Sequence, residues 1–136
     1  MNDIPRVTWP ILGAVSAGGA LGSLLRWGLS SGVSAYGGWP WATFLANVTG
    51  AVALGVVLVI ALEVRPGSRF LRPFWGAGVC GGYTTFSAFA LEVHHLLADG
   101  RMVLAIAYAV TSVLAGVLGI TGGIATTRAL RARKDS

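Results

Sequence analysis

The residues best suited to chemistry lie in the run Gly81-Gly82-Tyr83-Thr84-Thr85-Phe86-Ser87-Ala88-Phe89. No charge falls between Pro73 and Leu91, and an apolar stretch of that length can cross a bilayer as a helix. Two adjacent glycines weaken helix propagation, and two β-branched threonines follow them, so the pattern predicts a helix broken at its centre. Irregular backbone at membrane depth is tolerated where it is buried in protein or lines a polar cavity, so the break points to an ion or solute site. A packing kink is the plainer reading. Phe86 and Phe89 are three apart and share a helix face, with Ser87 beside them, either as core side chains or as ring edges along a path.

Other polar groups in apolar sequence join this stretch, because polar side chains in hydrocarbon are costly and tend to be functional. Thr43, Asn47 and Gly50 fall at i, i+4 and i+7, one stripe of a helix. Asn47 carries two N–H donors and one carbonyl acceptor, so it either glues helices together or presents donors to an anion. Tyr108, Thr111, Ser112 and Thr121 give a later segment a hydroxyl-bearing face, although hydroxyls can also satisfy themselves on the i−4 carbonyl. Glu92 is either a solvated helix-end charge or an acceptor for those hydroxyls. Arg26 either snorkels to the interface or adds positive potential at an entrance. His94 and His95 are adjacent and point apart on a helix, which disfavours a shared metal, and Cys80 reads as a small packing residue.

Four apolar segments must position these residues: 9–29, 41–62, 70–97 and 102–127, within a single transmembrane domain over 1–136. Each can cross a hydrocarbon core about 30 Å thick, and the fourth is long enough to tilt or emerge at one end. The composition agrees, with 54% hydrophobic and 11% charged residues and a mean hydropathy of +0.72. The chain is therefore expected to be an all-α integral membrane protein with four transmembrane helices. No cleaved leader is expected from Met1 to Arg6, which lack the basic start and small-residue cleavage site of a secretory signal.

A net charge of +5 does not point to nucleic acid, because the basic residues sit in short segments between apolar runs and no binding motif accompanies them. Nothing resembles an enzyme: the glycine-rich run lacks a phosphate-binding lysine, and no hydroxyl has a positioned base. Small residues at spacing four, Ala14-Gly18-Gly22, Gly78-Gly82 and Ala115-Gly119-Gly123, predict close helix contacts. Four helices enclose little, so a bounded path calls for a second copy. On these residues a channel competes with a small four-helix multidrug-type exporter and with a structural membrane subunit.

Three motifs carry a resemblance over nearly the whole length: Gly18-Gly19-Ala20-Leu21-Gly22-Ser23-Leu24-Leu25-Arg26-Trp27, Thr43-Phe44-Leu45-Ala46-Asn47-Val48-Thr49-Gly50, and Gly78-Val79-Cys80 running into the glycine–threonine–Phe-Ser-x-Phe stretch. On them the chain resembles the Fluc (CrcB) fluoride channels of bacteria. The resemblance implies a passive fluoride-selective channel of the bacterial inner membrane, built as an antiparallel, dual-topology homodimer with two pores. It implies that Asn47 coordinates fluoride and that Phe86 and Phe89 line each pore with their ring edges. Thr43, Ser87, Tyr108 and Ser112 would continue the polar path, with Glu92 near its end and Arg26 facing a vestibule. Gly81 and Thr84 would offer backbone carbonyls to a structural sodium ion at the dimer centre. The charge pattern pulls the other way on topology. Arg6, Arg65, Arg69, Arg72, Arg128, Arg131, Arg133 and Lys134 fall on one side and Arg26 and Arg101 on the other, a bias that favours one orientation with cytoplasmic termini.

Overall fold

The computed structural model describes residues 8–33 and 37–134; Arg6 and the start of the chain lie outside them. The described residues form helices and no β-strand. Helix α1 spans Trp9–Gly32, with Pro10 in its first turn, where a missing N–H costs nothing. Helix α2 spans Trp41–Val59 and continues as one π-helical turn, Ile60–Val64. Helix α3 comprises π-helical Arg72–Cys80 and the α-helical turn Gly81–Tyr83. Helix α4 spans Phe86–Ala98 and α5 spans Met102–Lys134. Counting α3 with α4, this is a four-helix arrangement.

The helices overrun the apolar segments at several ends. Helix α1 continues to Gly32 where the sequence suggested 29, and α5 continues to Lys134 where it suggested 127. The extension of α5 has a physical cause: Arg and Lys are good helix formers, and Glu63 at the end of α2 accepts hydrogen bonds from both Arg128 and Arg131. Helix α4 ends in a Schellman motif. The amide of Arg101 donates to the Leu96 carbonyl at 2.8 Å and that of Gly100 to Leu97 at 3.0 Å, with Gly100 at φ +73°.

Glycines set the distances between helices. A Cβ on Gly18 would collide with the Phe74 carbonyl oxygen and would lie 3.0 Å from the Gly78 Cα, while one on Gly22 would collide with the Val79 carbonyl and lie 2.8 Å from the Tyr83 nitrogen. Helices α1 and α3 thus touch backbone to backbone. Gly55 and Gly123 do the same for α2 and α5, as small residues allow in membrane helices.

Two helices, Trp41–Val64 and Met102–Lys134, are long and apolar enough to cross a membrane, with mean hydropathies of 2.4 and 2.3. Only 28% and 17% of their apolar windows are buried within the described chain, unlike the mostly buried core helix of a soluble fold. Val103, Val110, Val113, Leu114, Val117 and Leu118 of α5 all face outward. The molecule is a membrane protein.

Because the α1–α3 contact runs through backbone, Gly22→Leu should lower stability by at least ~1–3 kcal/mol through overpacking. Gly28→Ala, which has open space within 4 Å, should be neutral or slightly stabilising. Thermal unfolding of the purified variants in detergent checks this; equal midpoints for Gly22→Leu and the parent would contradict it.

Candidate functional site

The polar stripe of α2 faces the junction between α3 and α4. Thr84 (φ −80°, ψ 160°) and Thr85 (φ −151°, ψ 121°) are extended there, and helical structure resumes at Phe86. In a continuous α-helix the amide of Thr85 would return to the carbonyl of Gly81, and that of Ala88 to Thr84. Here the Thr85 amide donates to Asn47 Oδ1 at 2.8 Å, and Asn47 Nδ2 donates to the Thr85 carbonyl at 3.0 Å. The Ala88 amide donates to Thr85 Oγ1 at 3.2 Å, which makes Thr85 the N-cap of α4. Asn47 therefore does act between helices, but through one of its two N–H groups only; the second keeps its donor capacity. A Cβ on Gly50, one turn on, would collide with Thr84 Cγ2, so glycine there lets the extended residues approach α2.

One turn earlier, Thr43 Oγ1 donates to Glu92 Oε1 at 2.6 Å, and Tyr108 from α5 donates to Glu92 Oε2 at 2.7 Å. Tyr108 is fully buried and Thr43 nearly so. Glu92 is thus an acceptor for hydroxyls from two helices, one of the two roles its position allowed. The ring of Tyr108 meets Phe89 at 5.4 Å between centroids, and Phe89 meets Phe86 at 5.8 Å with planes tilted by 44°. Phe86 itself is 80% exposed in the single chain.

These groups border three cavities. One of about 400 Å³ is lined by Asn47, Thr84, Thr85, Phe86, Phe89 and Ser112, among others, and Gly81 also opens on it. The buried Ser112 Oγ has no hydrogen-bond partner among the described residues. A second cavity, of about 250 Å³, brings Arg26 together with Ser23, Thr43 and Thr85. Thr85 lines both, so the Asn47–Thr85 pair stands between them. A third, of about 340 Å³, lies past Glu92 and is edged by His95, Asp99 and Arg101. Ser87 lies outside this lining, with its Oγ 3.2 Å from Thr85 Oγ1.

Diverting the Thr85 and Ala88 amides releases the carbonyls of Gly81 and Thr84 from their helical partners. Neutral oxygens of this kind suit a small hard cation. Two from one chain are too few to surround it, so a complete shell needs further ligands. Among the sequence candidates, Asn47, Phe86, Phe89, Ser112, Gly81 and Thr84 meet at one cavity, Thr43, Glu92 and Tyr108 form an adjoining cluster, and Arg26 lies across Thr85. The sequence alone assigns Thr85 no role beyond its place in the glycine–threonine run. Its signal was a threonine directly before an apolar helical run, an N-cap pattern. Trp39, one of the tryptophans near segment starts that the sequence places at the headgroup level, also reaches this cluster: its ring stands edge-on to Tyr108 at 5.4 Å and 86°.

The fold and the site define a class, an all-helical membrane protein with a polar cluster running between its helices. Residues 13–124 match the family model described as CrcB-like protein, Camphor Resistance (CrcB), and the chain belongs to that family. It is 43% identical over 126 residues to the fluoride-specific ion channel FluC 2 of Nocardia farcinica, covering 92% of this chain and 90% of that protein. It is 39% identical over 132 residues to FluC 1 of Mycobacterium bovis, with 96% and 100% coverage. A third relative, the FluC of Rhizobium meliloti, is 42% identical over 118 residues, with 85% and 94% coverage.

A hydrogen bond to a charged carboxylate contributes ~1.5–3 kcal/mol. Tyr108→Phe and Thr43→Val should each destabilise the protein by that order, and together by an amount that departs from the sum of the two, since both act on Glu92. Unfolding midpoints of the two singles and the double test this, and strict additivity would show that the hydroxyls do not act through a shared carboxylate.

Proposed function

We propose that the protein is a passive, fluoride-selective ion channel of the bacterial inner membrane, with four spans, the third being a single helix broken at Thr84–Thr85 into α3 and α4. The observation that carries this reading is the Asn47–Thr85 pair set beside Phe86, Phe89 and the Ser112 hydroxyl on one cavity. Fluoride is small and strongly hydrated, so a selective path must replace its water with close donors. The second Asn47 N–H and the Ser112 hydroxyl are such donors. Phenylalanine edges carry the positive part of the ring quadrupole and attract an anion weakly without trapping it.

Onward from Phe89, the hydroxyls of Tyr108 and Thr43 turn from Glu92 to the anion as it passes, and Ser87 adds a further hydroxyl near the start of α4. While they point at Glu92 they screen a carboxylate that would otherwise repel an anion. Arg26 supplies positive potential on the far side of Thr85, at the vestibule.

The functional unit is an antiparallel homodimer with two pores. The exposed ring of Phe86 and the open side of the cavity are what a second copy would cover. Gly81 and Thr84 carbonyls of both copies would then hold a sodium ion at the two-fold axis, where it supplies a fixed positive charge and ties the copies together.

Purified protein in liposomes should release fluoride and retain chloride, and the release should require a potassium ionophore for charge balance. Asn47→Asp keeps the acceptor for the Thr85 amide but sets negative charge against an anion; it should cut fluoride efflux at least tenfold while leaving size-exclusion elution unchanged. Equal chloride and fluoride efflux, or full fluoride efflux in the aspartate variant, would contradict the proposal.

A further inference from the structure

One end of the molecule gathers most of its basic side chains. Thr8, at the start of α1, accepts a hydrogen bond from Arg69, and Glu63, at the end of α2, pairs with Arg128 and Arg131 of α5. The start of α1, the connection 63–72 and the end of α5 therefore share that end. Arg65, Arg69, Arg72, Arg128, Arg131, Arg133 and Lys134 lie there, and Glu63 is the one acid beside them among the described residues. It is shared by two arginines, and Arg65, Arg72, Arg133 and Lys134 have no ion pair among the described residues.

Two further features separate this end from an ordinary solvated charge run. Its arginines are interleaved with exposed rings: Trp9, 86% exposed, follows Thr8; Phe70 lies under the Arg69 guanidinium, 5.7 Å from the ring centroid; and Trp75 sits three residues past Arg72. The amphipathic rings of Trp9 and Trp75 favour the headgroup level of a bilayer. The second feature is length. At 33 residues α5 extends roughly 50 Å, against about 30 Å of hydrocarbon, so its last turns with Arg128, Arg131, Arg133 and Lys134 fall in or beyond the headgroup layer.

We propose that this end is a binding surface for anionic phospholipid headgroups. Arg65, Arg69 and Arg72 hold the lipid phosphate, for which planar guanidinium groups are suited. Trp9, Phe70 and Trp75 lie against the glycerol and upper acyl region, and the end of α5 adds positive potential. The net surplus of positive charge selects a headgroup with net negative charge over a zwitterionic one, and the adjoining rings favour a lipid over a soluble phosphate.

The test is native mass spectrometry of the intact protein released from nanodiscs of equal phosphatidylglycerol and phosphatidylcholine. The parent should retain phosphatidylglycerol at least threefold over phosphatidylcholine. The triple variant Arg65→Gln, Arg69→Gln, Arg72→Gln should lose most of that preference with phosphatidylcholine retention unchanged. Retention of the two lipids by the parent in the nanodisc ratio would overturn the proposal, even if the variant failed to fold. An undiminished preference in a folded triple variant would overturn it as well.

Discussion

Two hydrogen bonds between the side chain of Asn47 and the backbone of Thr85 hold the site open. An extended pair of residues inside a helical membrane protein leaves amides and carbonyls without helical partners, each costing several kcal/mol if left unsatisfied in hydrocarbon. Asn47 answers for both polar groups of Thr85 at once, and the Thr85 hydroxyl answers for the Ala88 amide. With those groups held, the helix can stop at Tyr83 and restart at Phe86. The restart aims Phe86 and Phe89 at the cavity, and the stop frees the Gly81 and Thr84 carbonyls.

The rest of the fold keeps Asn47 and Thr85 within reach of one another. Helix α3 is pressed onto α1 through Gly18, Gly22 and Gly78, and α2 onto α5 through Gly55 and Gly123. Neither contact has room for a methyl group, so these helices have little freedom to slide. Gly50 completes the arrangement by letting Thr84 lie against α2. Below this level, Thr43, Glu92 and Tyr108 tie α2, α4 and α5 into one polar cluster. The same stripe of α2 thus meets the junction through Asn47 and Gly50 and, one turn away, α4 through Thr43 and Glu92.

Much of this was legible in the sequence, for physical reasons. The apolar runs gave the helical class, and spacing of four marked the glycines that lie at helix contacts. The Thr43–Asn47–Gly50 stripe could be placed on one face before anything was known of what it faced. The ends of helices were less legible. Charge was read as the end of a segment, yet Arg128 to Lys134 continue α5, because helix propensity and the pairing with Glu63 outweigh the loss of apolar character. The partner of Asn47 was not legible either: Thr85 lies 38 residues away, and only the packing of α2 on the junction brings them together. For Glu92 the sequence left two roles open, and the choice depended on hydroxyls contributed by two other helices.

Asn47 holds the extended conformation at Thr85. An experimental structure of Asn47→Ala tests it most directly. Without the side chain, the Thr85 amide should return to the Gly81 carbonyl or become disordered, and φ and ψ at Thr85 should leave the extended region. An Asn47→Ala structure with Thr84 and Thr85 extended as before, and the Gly81 carbonyl still free of the Thr85 amide, would show that other contacts hold the break.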